Sequence, residues 1–219
     1  YGCQAAIQII EAGISVNPDA YRANYVALTY GKSREYFLEE CFTADVIIPA
    51  DADHLDFCGA RFGILQLPGH SAGHIGIVTP DNVAYLGDCL MSRQLIESAK
   101  LPTSMFIARD LESKQSLHDL RCSAYIIAHK NVYSDIHDLI DENIRFLKEK
   151  RQEVLDCLGD GMNFSDWFYT FCRQEDIHTH NELKLSIVER NFSNFVSDLT
   201  DAGQVNIQRE FCAKQFFHV

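Results

Sequence analysis

Three short apolar runs, each followed within a few residues by a side chain able to bind a metal ion, constrain this chain more than any other feature. Phe62–Leu67 leads into Pro68-Gly69-His70-Ser71-Ala72-Gly73-His74, Asn82–Leu86 into Gly87-Asp88, and Ala124–Ala128 into His129. Short apolar runs stopped by Pro, Gly or a polar residue read as buried strands. Loops at strand ends carry chemistry on a rigid base. Imidazole, carboxylate and imidazole form a donor set suited to zinc or to a pair of divalent ions.

Taken together, Pro68-Gly69-His70-Ser71-Ala72-Gly73-His74, Gly87-Asp88 and Ala128-His129 resemble the metallo-β-lactamase superfamily, over residue 1 to about residue 150. The resemblance implies an α/β fold: part of an αββα sandwich, followed by a small, mostly helical C-terminal region. It also implies that His70 ligates a first ion, that Asp88 bridges two ions as the catalytic residue, that His129 ligates the second, and that His74 is structural. The cofactor so implied is zinc, two divalent ions in the complete site, with iron or manganese as alternatives. Aspartate at position 88 resembles the glyoxalase and general hydrolase branch, whereas the zinc β-lactamases most often carry cysteine there. Cys89 stands one residue late and is expected to point elsewhere.

The family also carries a His-x-His-x-Asp-His motif before a helix, and this chain has none in the corresponding place. Gly2–Gly13 reads as the helix that follows that motif, stopped by a C-terminal glycine. The expectation is therefore a chain that starts just after it: a fragment, a half completed by another chain, or a remnant without catalysis. His178-Thr179-His180 is a His-x-His, but it lies in a polar segment with no Asp-His after it, and an exposed loop is the expected reading.

The function implied is hydrolysis of a small acyl substrate, a thioester, ester or lactone, by metal-bound hydroxide, with this fragment inactive unless the missing ligands are supplied. A phosphodiesterase or nuclease of the same fold and a catalytically silent binding module are the alternatives. Fold alone does not choose among them.

Composition narrows the partners. A net charge of −12 argues against broad attachment to nucleic acid, which needs clustered Lys and Arg. Lys148, Lys150 and Arg151 are the densest basic group, and their acidic neighbours Glu149 and Glu153 suggest a solvated helical face. No apolar run reaches the roughly 18 residues of a membrane helix. The eight cysteines show no C-x-x-C pair, and several sit in apolar surroundings, so free buried thiols and a reducing cytoplasm are expected.

Along the rest of the chain, Ile14-Ser15-Val16 reads as a short strand, Asn17-Pro18-Asp19-Ala20 as a helix start, and residues 34–41 as a short helix. Tyr25, Tyr30, Tyr36 and Phe37 either line a substrate pocket or pack on that helix. Val46–Ile48 reads as a strand, and Asp51–Gly59, with three carboxylates around His54, as a cation site or, preferably, a polar hairpin. Ile75–Asp88 is a hairpin turning at Pro80-Asp81-Asn82. Leu111–Leu120 reads as a helix with Glu112, Lys114, Gln115 and Asp119 polar. His118 and His137 read as helix-surface residues, and Ile136, Leu139, Ile140, Ile144 and Leu147 form one apolar helical face.

A domain boundary is placed at 158/159, next to Gly159-Asp160-Gly161. Residues 1–158 form the metallo-β-lactamase-like part, and residues 159–219 a helical region resembling a winged-helix tail, with helices at 164–172 and 186–201 and a hairpin from 203. Its second helix carries Glu189, Asp198 and Asp201 but only Arg190, so the tail reads as a lid or a contact between copies in a homo-oligomer rather than a DNA reader.

Overall fold

The computed structural model describes residues 3–25, 29–129, 131–210 and 213–219. Tyr1, Gly2, the side chain of Tyr25 and Cys212 lie outside the described residues. The chain enters as a strand, not a helix: β1 (Ala6–Gln8) pairs in parallel with β2 (Val46–Ile48). Helix α1 occupies Ile9–Ser15, with the Gln8 side chain accepting the Ile10 N–H at 2.6 Å. The helix expected over 2–13 therefore starts later, and Ile14 and Ser15 close it instead of forming a strand. Local helix propensity loses at residues 6–8 because a strand 40 positions away supplies the backbone partners.

Helix α2 (Pro18–Tyr25) begins where Asn17-Pro18 predicts, its first turn capped by the Asn17 side chain on Ala20 N–H at 2.9 Å. Helix α3 (Tyr30–Phe37) precedes a single 3₁₀ turn at Leu38–Glu40.

Six further strands form one sheet in sequence order: β3 (His54–Phe57), β4 (Ala60–Gln66), β5 (Ile75–Val78), β6 (Val83–Gly87), β7 (Ala124–Ile127) and β8 (Asn131–Tyr133). Neighbours run antiparallel except β6 and β7, which are parallel. A parallel pair needs a crossover, and α4 (Arg93–Ser98) and α5 (Ile107–Ser116) lie in it. The acidic segment at 51–59 is a hairpin with Cys58 and Gly59 both at positive φ, the signature of a two-residue turn that matches strand twist. Asp56 takes both ends of the Arg61 guanidinium at 2.8 Å, and Asp53 binds His54 at 2.5 Å.

Helix α6 (His137–Asp156) buries Leu139, Ile140 and Leu147 of its predicted apolar face, and Phe146 as well. Beyond it lie α7 (Phe164–Gln174), α8 (Glu182–Asp201) and the hairpin β9 (Val205–Glu210) with β10 (Ala213–His218). One hydrophobic core joins Ile107 of α5 and Leu147 and Val154 of α6 to Trp167, Phe171, Phe192, Phe195 and Phe216 of the C-terminal elements. Trp167 is fully buried and donates its indole N–H to Val154 O at 2.8 Å.

Lys150 and Arg151 belong to this junction and are not a solvated face. Lys150 reaches Glu153 and Glu175, and Arg151 reaches Asp198 and Gln204. These partners sit on α6, α7, α8 and the turn after α8, so the two cations bind the C-terminal elements to α6. Among the described residues no helix is long and apolar enough to cross a membrane.

Candidate metal centre

The sheet brings His70, Asp88 and His129 together at its C-terminal edge. His70 lies in the loop after β4, Asp88 directly follows β6, and His129 follows β7, whose parallel register with β6 sets Ile127 beside Gly87. Ala128 N–H donates to Gly87 O at 2.9 Å, clipping the last two loops together. His129 has φ +65°, a left-handed conformation that a residue with a Cβ adopts at a cost and that clusters at functional loops.

The His70 loop is held from both sides. Leu67 N–H and His74 O close it at 3.0 Å, and Gly69 O accepts from Met105 N–H at 2.7 Å. Ser113 of α5 donates to Pro68 O at 2.7 Å, and Glu11 of α1 accepts from Gly73 N–H at 2.7 Å. Gly69 has φ +154°, and a Cβ there would stand 2.5 Å from Asp110 Cα, so the loop approaches α5 closer than any other residue allows.

Each Asp88 oxygen faces a different imidazole. Oδ1 is 3.2 Å from His129 Nε2 and Oδ2 is 3.9 Å from His70 Nε2. Two donors at about 2.0–2.1 Å from one tetrahedral ion stand roughly 3.3 Å apart, so one Asp88–His separation matches a shared ion and the other exceeds that spacing by a small movement. Thr103 O lies 3.2 Å from His70 Nδ1. A carbonyl only accepts, so this bond puts the proton on Nδ1 and leaves the Nε2 lone pair toward Asp88.

His74 takes a different role. Its Nε2 accepts the Asp88 backbone N–H at 3.2 Å, so the ring orients the carboxylate-bearing loop. Gly87 just before it has φ +55°, and a Cβ there would meet His74 Nε2 at 2.8 Å. Burial, helped by the neighbouring His70, pushes the His74 imidazole down to about 4, and burial also holds His70 below its ordinary value despite Asp88 and Asp110 nearby.

The donors open onto a cavity of about 140 Å³ walled by Leu90, Met91, Leu95, Phe146 and Leu147. Asn143 of α6 also lines it, its side-chain oxygen accepting Met91 N–H at 2.8 Å and its side-chain N–H donating to Met91 O at 2.9 Å. Asp110 and Lys114 also line it and form an ion pair, their side chains 4% and 7% exposed. In the sequence Lys114 is one polar residue among several of its helix, and Asp110 does not stand out. The i, i+4 spacing of opposite charges is the signal available, but it reads equally well as a solvated pair.

Other candidates lie elsewhere. Cys89 is 1% exposed, its thiol pushed up to about 12 by burial, and it faces the core as expected. Tyr30 is exposed and Phe37 stacks on Tyr21 at 5.1 Å, so neither lines the cavity. His178 binds Asp176 in an exposed loop, and His137 pairs with Asp135 and packs on His118. Among the described residues no three His, Cys, Asp or Glu side chains form a closed ion-binding set. His70 and His129 each face one oxygen of Asp88, a donor pair on either side that is suited to a divalent ion but short of a full ligand set.

No family model matches the sequence, and no curated protein matches it. Solved structures do match by shape. A metallo-beta-lactamase family protein from Thermus thermophilus superposes with a TM-score of 0.69 at 16% identity, covering 100% of this chain and 72% of that one. A beta-lactamase domain protein from Burkholderia ambifaria gives 0.63 at 13% identity, covering 88% of this chain and 59% of that one. With six strands, the β6–β7 crossover and the Asp88 edge placed as described, the chain has the metallo-β-lactamase fold.

Proposed function

We propose that this protein is a metal-dependent hydrolase of a small acyl substrate, and that His70, Asp88 and His129 hold the metal. The observation that carries this reading is the Asp88 carboxylate, turned with one oxygen toward each histidine. Divalent ions bound there would supply Lewis acidity and an acidified water near neutral pH.

The chain's own residues do the rest. Thr103 O fixes the His70 ring, His74 fixes the Asp88 loop, and Leu90, Phe146 and Leu147 offer the substrate an apolar wall. The small volume and the net charge of −12 support an acyl substrate over a nucleic-acid strand. Zinc suits the imidazole and carboxylate donors, with iron or manganese as alternatives. Seven described cysteines are free thiols, which supports a cytoplasmic setting.

One observation favours a second reading. Two donors per ion fall short of the three or four protein ligands usual for zinc, which supports a catalytically silent binding module on the same fold. Equilibrium dialysis against Zn²⁺, followed by thioester, lactone and bis-aryl phosphate assays on the loaded protein, separates the two. Zinc binding that Asp88→Ala lowers more than His70→Ala or His129→Ala, with acyl turnover, supports the hydrolase. Binding without turnover supports the silent module, and binding indifferent to Asp88→Ala refutes the proposed site.

A further inference from the structure

The C-terminal helix α8 lies in the second half of the chain, yet it touches the segment that orients His70. Asn191 donates its side-chain N–H to Thr103 Oγ1 at 3.2 Å, and Asn194 donates to Ser104 O at 2.8 Å. Thr103 is the residue whose carbonyl holds His70 Nδ1 at 3.2 Å, and Ser104 and Met105 both reach Gly69 O, beside His70. Asn191 is 2% exposed and Ser104 is fully buried. A buried amide kept in a core is satisfied at a specific place, and here that place is the 103–104 segment.

Other features of the segment make the contact consequential. Leu101 and Ile107 pack in the core with Phe192 and Phe195, so α8 fixes residues 101–107 by apolar contact as well as by its two amides. Residues 102–105 lie in neither a helix nor a strand. Their backbone is positioned by what they touch: Gly69 on one side and α8 on the other.

We infer that Asn191 and Asn194 are positioning residues that hold His70 in its Nδ1–H tautomer and in its ring orientation by fixing the Thr103 carbonyl. The C-terminal region then acts as the outer support of the metal centre. Outer-shell partners of a ligating histidine typically change metal affinity by about 10–100-fold when removed. The affinity arm of the test below rests on the reading of His70 as a ligand, and the tautomer arm does not.

The test uses the full chain as wild type, Asn191→Leu, Asn194→Ala and Asn181→Ala. Asn181 caps α8 by accepting Lys184 N–H at 2.9 Å, so its loss weakens the helix without touching residue 103. Long-range ¹H–¹⁵N correlation of the metal-free protein reads the His70 tautomer, and Co²⁺ titration reads affinity and the ligand field. The expected result is a dominant Nδ1–H form in wild type and Asn181→Ala, lost in Asn194→Ala and Asn191→Leu, with Co²⁺ affinity lowered about tenfold and the visible bands shifted in those two.

If Asn191→Leu does not fold, half-buried Asn194→Ala carries the comparison. An unchanged tautomer in Asn194→Ala and in any folded Asn191→Leu overturns the inference. So does an equal change in Asn181→Ala, which would mean general loosening. Failure of wild type to bind Co²⁺ with the tautomer pattern intact removes the hydrolase reading and leaves the support role standing.

Discussion

Substituting Lys114→Met removes the cation from the most deeply buried ion pair among the described residues, with side-chain exposures of 7% for Lys114 and 4% for Asp110. Methionine matches the aliphatic stem of lysine, so packing against the cavity is largely kept while Asp110 loses its partner. A carboxylate left uncompensated at that depth costs about 3–5 kcal/mol. With a urea slope of about 2.5 kcal/mol per molar, a loss of about 4 kcal/mol lowers the unfolding midpoint by roughly 1.6 M. Removing both charges in Asp110→Asn with Lys114→Met deletes the uncompensated charge, so the double variant should recover at least about 2 kcal/mol of that loss. Urea melts followed by circular dichroism at pH 7.5 measure all four corners of the cycle. A single variant that loses less than about 1 kcal/mol, or a double variant whose loss equals the sum of the singles, would refute the claim that this is a desolvated, mutually dependent pair.

Gly69→Ala places a Cβ 2.5 Å from Asp110 Cα, and the protein is expected to lose its cooperative thermal transition or to melt at least about 10 °C lower, as read by calorimetry. Asn143→Leu strips Met91 of two backbone hydrogen bonds at the cavity wall and should cost about 2–3 kcal/mol in a chemical melt, with no cost taken as disproof. At pH 8 the buried Cys89 thiol, pushed up to about 12, and Cys157 and Cys172, pushed up to about 11, stay protonated. Brief iodoacetamide treatment of the native protein should therefore mark exposed Cys3 and Cys58 and spare those three, as mapped by peptide mass spectrometry.

The parts legible in the sequence were those set by local pattern. Alternation and turn residues locate β4, β5 and β6, and the i, i+3, i+4 spacing of Ile136, Leu139 and Ile140, continued by Ile144 and Leu147, locates α6. His70, Asp88 and His129 were legible because each stands where an apolar run stops. What stayed hidden depends on partners distant in sequence. Ala6–Gln8 is a strand only because Val46–Ile48 lies beside it. Lys150 and Arg151 look like a solvated patch until Glu175 and Asp198 arrive from α7 and α8. Asn191 is an ordinary polar residue on an amphipathic helix until Thr103 is placed against it.

The core that α8 shares with α5 and α6 also sets an order on synthesis. A ribosome releases His70, Asp88 and His129 well before Phe192, Phe195 and Phe216, which complete that core. Until those last aromatic residues emerge, the cover over Ile107, Leu147 and Val154 is incomplete, and a stalled chain would present an unfinished apolar surface to chaperones. His70, Asp88 and His129 should therefore reach their final geometry only after Phe216 has been added to the chain.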